Sequence, residues 1–170
     1  MTYPNGNTGV RYRLDGSILT SQTLLPNLKE MLSSCRGWLF RIQGKYRLVL
    51  DKAEVAAFTF NEDNIVGGWT VERGGKRLKK NKIETQFINK DRNYTSDTVT
   101  ISDATYLSDD NNAELVSRTD LPFTTDRQIA QMIAIQTLKQ TRQDIAVQFV
   151  ANQTALEVEV GDVVNLTHTT

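Results

Sequence analysis

The C-terminal third of this 170-residue chain has the most regular hydrophobic pattern, so it limits the possible folds most strongly. Apolar residues spaced three and four apart predict an amphipathic helix over residues 125–142. Thr125 and Gln128 match a capping box at its start, and Lys139 and Arg142 complement the helix dipole in its last turn. Short apolar runs then predict strands at 145–150, 156–160 and 163–166.

The rest of the chain repeats this mixture of helix and short strands. A first amphipathic helix is predicted over 24–36, with Thr23 as its cap and Gly37 as its stop. Residues 10–16 suggest an extended arm or an edge strand, and residues 108–112 suggest an exposed turn. Strands are predicted at 38–42 and 46–50 around a turn at 43–44, and at 58–60, 65–71, 83–89, 98–101 and 114–117. Two helices with many short strands predict an α+β fold with mainly antiparallel pairing.

Composition indicates a core-forming protein without a strong global charge. Hydrophobic residues make up 39% and charged residues 24%, and 20 basic side chains balance 20 acidic ones. A net charge of zero provides no overall attraction to nucleic acid or to an anionic membrane. No apolar run is long enough to cross a bilayer, so membrane insertion is not expected. The last predicted strand runs into the C-terminus without a closing turn, which suggests a fragment of a larger protein.

Few residues have the spacing that catalysis or metal binding requires. The only histidine, His168, is expected to be solvent-exposed, and the only cysteine, Cys35, to be a buried structural thiol. The acidic residues at 103–114 lack the spacing of a calcium loop, and those at 157–162 suggest the wet face of a strand. The sequence therefore predicts no enzyme activity, no cofactor and no metal site.

A basic segment is the most polarised feature of the middle of the chain. Six of the ten residues from 73 to 82 are basic, and we call them the basic patch: Arg73, Lys76, Arg77, Lys79, Lys80 and Lys82. The patch could contact phosphates, but the segment lacks the spacing and the following helix of a phosphate-binding loop. A solvated hairpin loop is the favoured interpretation, and an interface for an acidic subunit is a further alternative.

Several short segments occur in a characteristic order along most of the chain. They are 11–16 (RYRLDG), 24–28 (LLPNL), 44–48 (GKYRL), 61–65 (NEDNI), 81–87 (NKIETQF), 121–125 (LPFTT), 127–142 and 158–164 (VEVGDVV). None of these segments is decisive alone, because each is a packing or turn pattern. Their shared order resembles the tail tip, or host-specificity, proteins of lambda-like siphophages and prophages (the J-type proteins).

This resemblance implies a structural subunit of a tail tip hub, with barrel-like domains and no catalytic residues. Its implied partners are other tail proteins, normally in a homotrimer, and the host receptor is contacted only through the full-length protein. The implied location is the virion tail tip, after assembly in the host cytoplasm. Since family members are several times longer, residues 1–170 would form an internal hub segment. A helix–hairpin subdomain at 20–60 and a β-rich part with a helix at 61–170 are predicted within it.

Two other functions remain open at this level. A nucleic-acid-binding module would use the basic patch, although the zero net charge does not favour it. A carbohydrate-binding tail module would need Trp38 or Trp69 exposed beside carboxylates, and both are expected to be mostly buried. For the structural function, the predicted interfaces are the arm before Ser21 and the loop at 73–82.

Overall fold

The computed structural model describes residues 2–73, 75, 78–143 and 145–168. These residues form three α-helices and nine strands. In chain order they are α1 (Leu24–Ser33), β1 (Gly37–Ile42), β2 (Lys45–Leu50), β3 (Phe58–Phe60), β4 (Ile65–Arg73), β5 (Lys82–Asn89), β6 (Thr95–Ser102), α2 (Ala104–Asp109), β7 (Val116–Leu121), α3 (Arg127–Arg142), β8 (Ile145–Ala151) and β9 (Val164–Leu166).

The chain divides into two compact units. Unit 1 consists of Met1–Trp38 and Gly75–Asp144, and unit 2 of Leu39–Gly74 and Ile145–Thr170. Each unit is therefore built from two separate chain segments. The predicted helix–hairpin subdomain at 20–60 includes residues of both units and stays a prediction.

Unit 1 is a three-stranded sheet with α3 packed on one face. The strand order is β6-β5-β7, with β5 antiparallel to β6 and parallel to β7. Alternate residues of β5 face α3, because side chains in a strand alternate between its two faces. The buried residues alternate along the strand that was predicted at 83–89, and they are Ile83, Thr85, Phe87 and Asn89. The main core cluster comprises Phe87, Val99, Leu121, Ile129, Ala130 and Ile133.

The start of α3 differs from the predicted capping box. Asp126 is the cap, and its carboxylate accepts a hydrogen bond of 2.8 Å from the Gln128 amide. The Thr125 hydroxyl instead donates to the Asp15 carboxylate at 2.8 Å. The predicted cap was wrong because a tertiary contact with the N-terminal arm occupies the threonine. Lys139 and Arg142 lie in the last turn, as predicted.

A buried asparagine organises the entry to α1. Thr23 occupies the cap position but makes no side-chain capping bond. Asn27 is 4% exposed, and its amide donates to the carbonyls of Leu19 and Thr23, each at 3.1 Å. These bonds satisfy carbonyls of the preceding turn and hold the arm against the helix. The helix ends at Ser33, three residues before the predicted end.

Unit 2 consists of three two-stranded sheets in its described part. They are the β1–β2 hairpin, the antiparallel pair β4–β8 with two register shifts, and the parallel pair β3–β9. The predicted strand over 156–160 was wrong. Residues Gln153–Glu157 form a 3-10 turn, and the Asn152 carboxamide accepts from the Thr154 amide at 3.0 Å. This local bond favours a turn over extended backbone.

The observed fold confirms the predicted α+β class with mainly antiparallel pairing. Two features were not predicted, namely the parallel pairings β3–β9 and β5–β7 and the short helix α2. Asp103 caps α2 by accepting from the amides of Thr105 and Tyr106. None of the sheets in the described ranges closes into a barrel. Residues 9–19 contain no strand, so the arm alternative is the correct one.

Candidate interaction surface

The described residues contain no cluster that resembles a catalytic or metal centre. No group of three or more metal-binding side chains lies together among them. Burial raises the pKa of the Cys35 thiol, which does not favour a nucleophilic thiolate. Within the same ranges, no helix is long and apolar enough to cross a membrane.

His168 is not the exposed terminal histidine that was predicted. Its ring stacks on Trp69 with the centroids 4.2 Å apart and the planes at 12°. Phe149 stacks on Trp69, and Phe60 meets the Phe149 ring edge-on with the centroids 5.0 Å apart. His168 therefore packs in the aromatic cluster of unit 2. Its position in the sequence indicated only an exposed end, because ring stacking between distant residues leaves no local pattern.

The described members of the basic patch are not equally available to a partner. Arg73 and Lys79 are exposed. Lys82 forms an ion pair of 3.2 Å with Glu114, and Lys80 is half-buried. The structure therefore leaves two of the described charges most accessible. Lys76 and Arg77 lie outside the described residues.

The N-terminal arm is anchored to unit 1 at a few positions. Tyr3 and Tyr12 pack against the core cluster, and the Asp15 amide donates to the Phe123 carbonyl at 2.9 Å. Gly16 lies so close to the buried Phe123 ring that a Cβ atom would overlap it. A glycine is therefore required for the arm to follow this path.

The arm and the first turn of α1 present apolar side chains to solvent. We call them the apolar arm surface, and their exposed fractions range from 45% to 74%. Exposed apolar side chains mark a site of protein interaction when they form a contiguous patch. The residues are Val10, Leu14, Ile18, Leu19, Leu24 and Leu25.

Unit 2 exposes even more apolar surface. Phe60 is the only hydrophobic side chain that is buried in its described part. The exposed ones include Tyr46, Leu48, Val55, Leu156 and Val160, of which Val55 and Leu156 are 94% and 86% exposed. Two-stranded sheets are marginally stable alone, so this unit depends on further contacts. Sequence reasoning missed this surface, although the dense apolar runs at 145–150 and 156–166 were a signal.

Trp38 also differs from its predicted environment. Its side chain is 47% exposed, whereas the sequence predicted a mostly buried residue. Trp69 is half-buried, as part of the aromatic cluster. Trp38 thus adds an exposed aromatic ring to unit 1, which suits a protein contact.

Arginine–carboxylate pairs stabilise each unit internally. In unit 1, Arg142 forms an ion pair with Asp110, and its Nε donates to the Lys80 carbonyl at 2.9 Å. The Arg142 guanidinium also lies 4.6 Å from the centre of the Tyr106 ring. In unit 2, Arg47 bonds Glu159 and Asp162, each at 2.7 Å. These charges stabilise their own units and are not free for partners.

The paired aspartates make stability sensitive to acid. Hydrogen bonding from Arg142 lowers the pKa of Asp110, and hydrogen bonding from Asn89 and the Thr98 amide lowers the pKa of Asp97. A lowered folded-state pKa contributes stability above the ordinary aspartate value of 3.8, and this stability is lost as pH falls through the folded-state pKa. We therefore expect a constant melting temperature above about pH 5 and a falling one below about pH 4. Thermal unfolding followed by circular dichroism across this range tests the expectation. Asp110→Asn should weaken the pH dependence, and a melting temperature that rises on acidification would contradict it.

Apolar side chains exposed on both units are a feature of assembly proteins. The chain belongs to the family described as "Putative phage tail protein", whose model matches residues 26–170. This membership confirms the phage tail assignment made from the sequence and indicates a structural component of the virion. The matched region begins just after the apolar arm surface.

Comparison with solved structures supports the fold. Twelve chains match, including one from a structure described as "Virion of native gene transfer agent (GTA) particle". That chain superposes with a TM-score of 0.73 at 16% sequence identity, over 89% of this chain and 34% of the other. This chain thus spans about a third of the length of the matched one. No curated protein sequence matches it.

Proposed function

We propose that this chain is an internal hub segment of a J-type tail tip protein that joins tail subunits. As part of the full-length polypeptide, it would contribute to host attachment and DNA delivery. The observation that carries the proposal is the apolar surface exposed on both units. In the described part of unit 2, Phe60 is the one buried hydrophobic side chain, while many others are exposed. Such surface is stable only when other protein covers it.

The charges of the two units support contacts between copies. Unit 1 has 15 basic and 12 acidic side chains, whereas unit 2 has 5 basic and 8 acidic ones. Unit 1 of one copy would therefore attract unit 2 of the next, which suits a closed ring such as the proposed homotrimer. In this arrangement the basic patch would face acidic surface of a neighbouring subunit. Receptor contact would remain with the rest of the full-length protein.

The two alternative functions have less support. Lys82 is paired with Glu114 and Lys80 is half-buried, which weakens the basic patch as a phosphate-binding surface. Trp69 is stacked between Phe149 and His168, so Trp38 is the one tryptophan with an exposed ring for a sugar.

Light scattering across concentration tests the hub proposal on this chain and on the longer polypeptide. We expect a trimer for the longer polypeptide, and Leu24→Asp with Leu25→Asp to weaken it. An aspartate in the first turn of α1 suits the helix dipole, so these changes should not unfold unit 1. Thr105→Asp is the matched control, because it places an exposed acid in the first turn of α2. A longer polypeptide that stays monomeric at high concentration would overturn the hub proposal.

A further inference from the structure

Unit 1 contains a cavity beside the arm, and Leu19 of the apolar arm surface contributes to its lining. Its volume is about 420 Å³. Much of the lining is apolar, from Leu19 of the arm, Ile88 of β5, and Pro122 and Phe123 after β7. A mainly apolar cavity of this size with a few polar groups is typical of ligand sites in proteins.

The charged side chains in the lining are all acidic. They are Asp15 of the arm and Glu30 of α1. Asp15 is already paired, since it accepts from the Thr125 hydroxyl at 2.8 Å and forms an ion pair of 2.7 Å with Arg13. Glu30 is half-buried, and its carboxylate has no hydrogen-bond or ion-pair partner in the described part of the chain. The unbalanced charge of the cavity is therefore negative.

Lys90, a cation that acts on Asp15, is not free to neutralise Glu30. Lys90 is close enough to lower the pKa of Asp15, after the larger effect of the Thr125 hydrogen bond. Its ammonium group, however, forms an ion pair of 2.6 Å with Asp126 at the start of α3. A cation for Glu30 must then come from outside these groups.

Tyr94 contributes an exposed aromatic ring to the same lining. The residue is 67% exposed and has a left-handed backbone with φ of +56°, which is uncommon for an aromatic residue. Its amide is held by a 2.9 Å hydrogen bond to the Asn89 carbonyl. An exposed ring and an unpaired carboxylate in the lining of one cavity suit a cation, because the face of the ring is electronegative.

We propose that this cavity binds a basic side chain, arginine or lysine, that a neighbouring polypeptide presents. The methylene stem packs on the apolar lining, while the charged head lies with Glu30 and the ring of Tyr94. An anion would be repelled by the unpaired carboxylate of Glu30, and a purely apolar group would leave Glu30 buried further without a partner. The inference depends on the proposed tail function in one respect, namely that a neighbouring tail polypeptide supplies the basic side chain.

Amide NMR spectra of the full chain test this chemistry without any assembly partner. The probe is N-acetyl-arginine amide, and its uncharged analogue N-acetyl-citrulline amide is the comparison. We expect the arginine probe to shift the amide signals of Leu19 and Ile88, with an affinity about three- to tenfold higher than that of the citrulline probe. Glu30→Gln should remove this preference, and Tyr94→Leu should reduce it.

Glu157→Gln is the matched control, because it removes the same charge from an exposed site in unit 2. It should bind the arginine probe as the unchanged chain does. Equal binding of the two probes, an unchanged preference in Glu30→Gln, or no shifts at these amides would each overturn the proposal. Light scattering decides the hub proposal separately, so failure of one is distinguishable from failure of the other.

Discussion

Phe87→Ala is expected to lower the free energy of unfolding by about 3–5 kcal/mol, since it removes a large aromatic side chain from a close-packed core. Phe87 is 1% exposed and lies at the centre of β5, opposite Asp97 of β6 and Leu121 of β7. It belongs to the same core cluster as Ile129 and Ile133 of α3, so its loss leaves a cavity between sheet and helix. Chemical denaturation followed by circular dichroism measures the change.

The neighbouring residue in the same strand provides the control. Gln86 points to the solvated face of the sheet, where its amide donates to the Ser96 hydroxyl at 2.6 Å. Gln86→Ala should cost less than about 1 kcal/mol, because an exposed hydrogen bond is exchanged for bonds to water. If both substitutions had similar effects, the assignment of the two faces of β5 would be wrong.

Asn81→Ala is expected to cost about 2–4 kcal/mol, because it leaves several buried polar groups without partners. Asn81 is 1% exposed. Its amide donates to the Asp110 carboxylate at 2.9 Å and to the Ala113 carbonyl at 2.7 Å, and its side-chain oxygen accepts from the Leu115 amide at 2.8 Å. One side chain thus links the start of β5 to the loop between α2 and β7.

Equilibrium denaturation of Asn81→Ala should be compared with that of Asn7→Ala. Asn7 is an exposed asparagine of unit 1, and its replacement should change stability by less than about 0.5 kcal/mol. If the two variants were equally stable, the hydrogen bonds of Asn81 would not be needed to hold the loop. Asn81 and Arg142 both bind the Asp110 carboxylate. Loss of Asn81 should therefore also weaken the ion pair between Arg142 and Asp110.

Local periodicity was enough to predict the elements that bury one regular face. The alternation in β5 and the apolar stripe of α3 each follow from one structural period, and both were placed correctly. The turn at Gln43–Gly44 was also predictable, because both residues adopt positive φ.

Local patterns failed where a distant residue competes for a polar group. Thr125 satisfies the capping pattern, but Asp15 takes its hydroxyl, so Asp126 caps α3 instead. The 156–160 segment alternates like a strand, yet the Asn152 carboxamide accepts from the Thr154 amide and favours a 3-10 turn, and Arg47 pairs with Glu159 and Asp162 after it. The parallel pairing of β5 with β7 likewise depends on contacts that no local pattern encodes.

The candidate interaction surface was only partly accessible from the sequence. The arm and the basic patch could be proposed as interfaces, because a run of charges and a short alternating apolar segment can be recognised in the sequence itself. The exposed apolar surface of unit 2 and the cavity at Glu30 and Tyr94 could not. Exposure is a property of what surrounds a residue, and the surroundings of Leu156 or Tyr94 come from several chain segments.

By itself, the sequence determined the α+β class, the positions of β5 and α3, and a family of phage tail proteins. These properties depend on short-range periodicity and on the order of segments along the chain, and both can be read without knowing which distant residues meet. The tertiary structure alone decided the division into two units, the partners of Asn81 and Arg142, and the side chains left open to solvent. These depend on which distant groups meet, because hydrogen bonds and burial are determined by neighbours in space rather than along the chain.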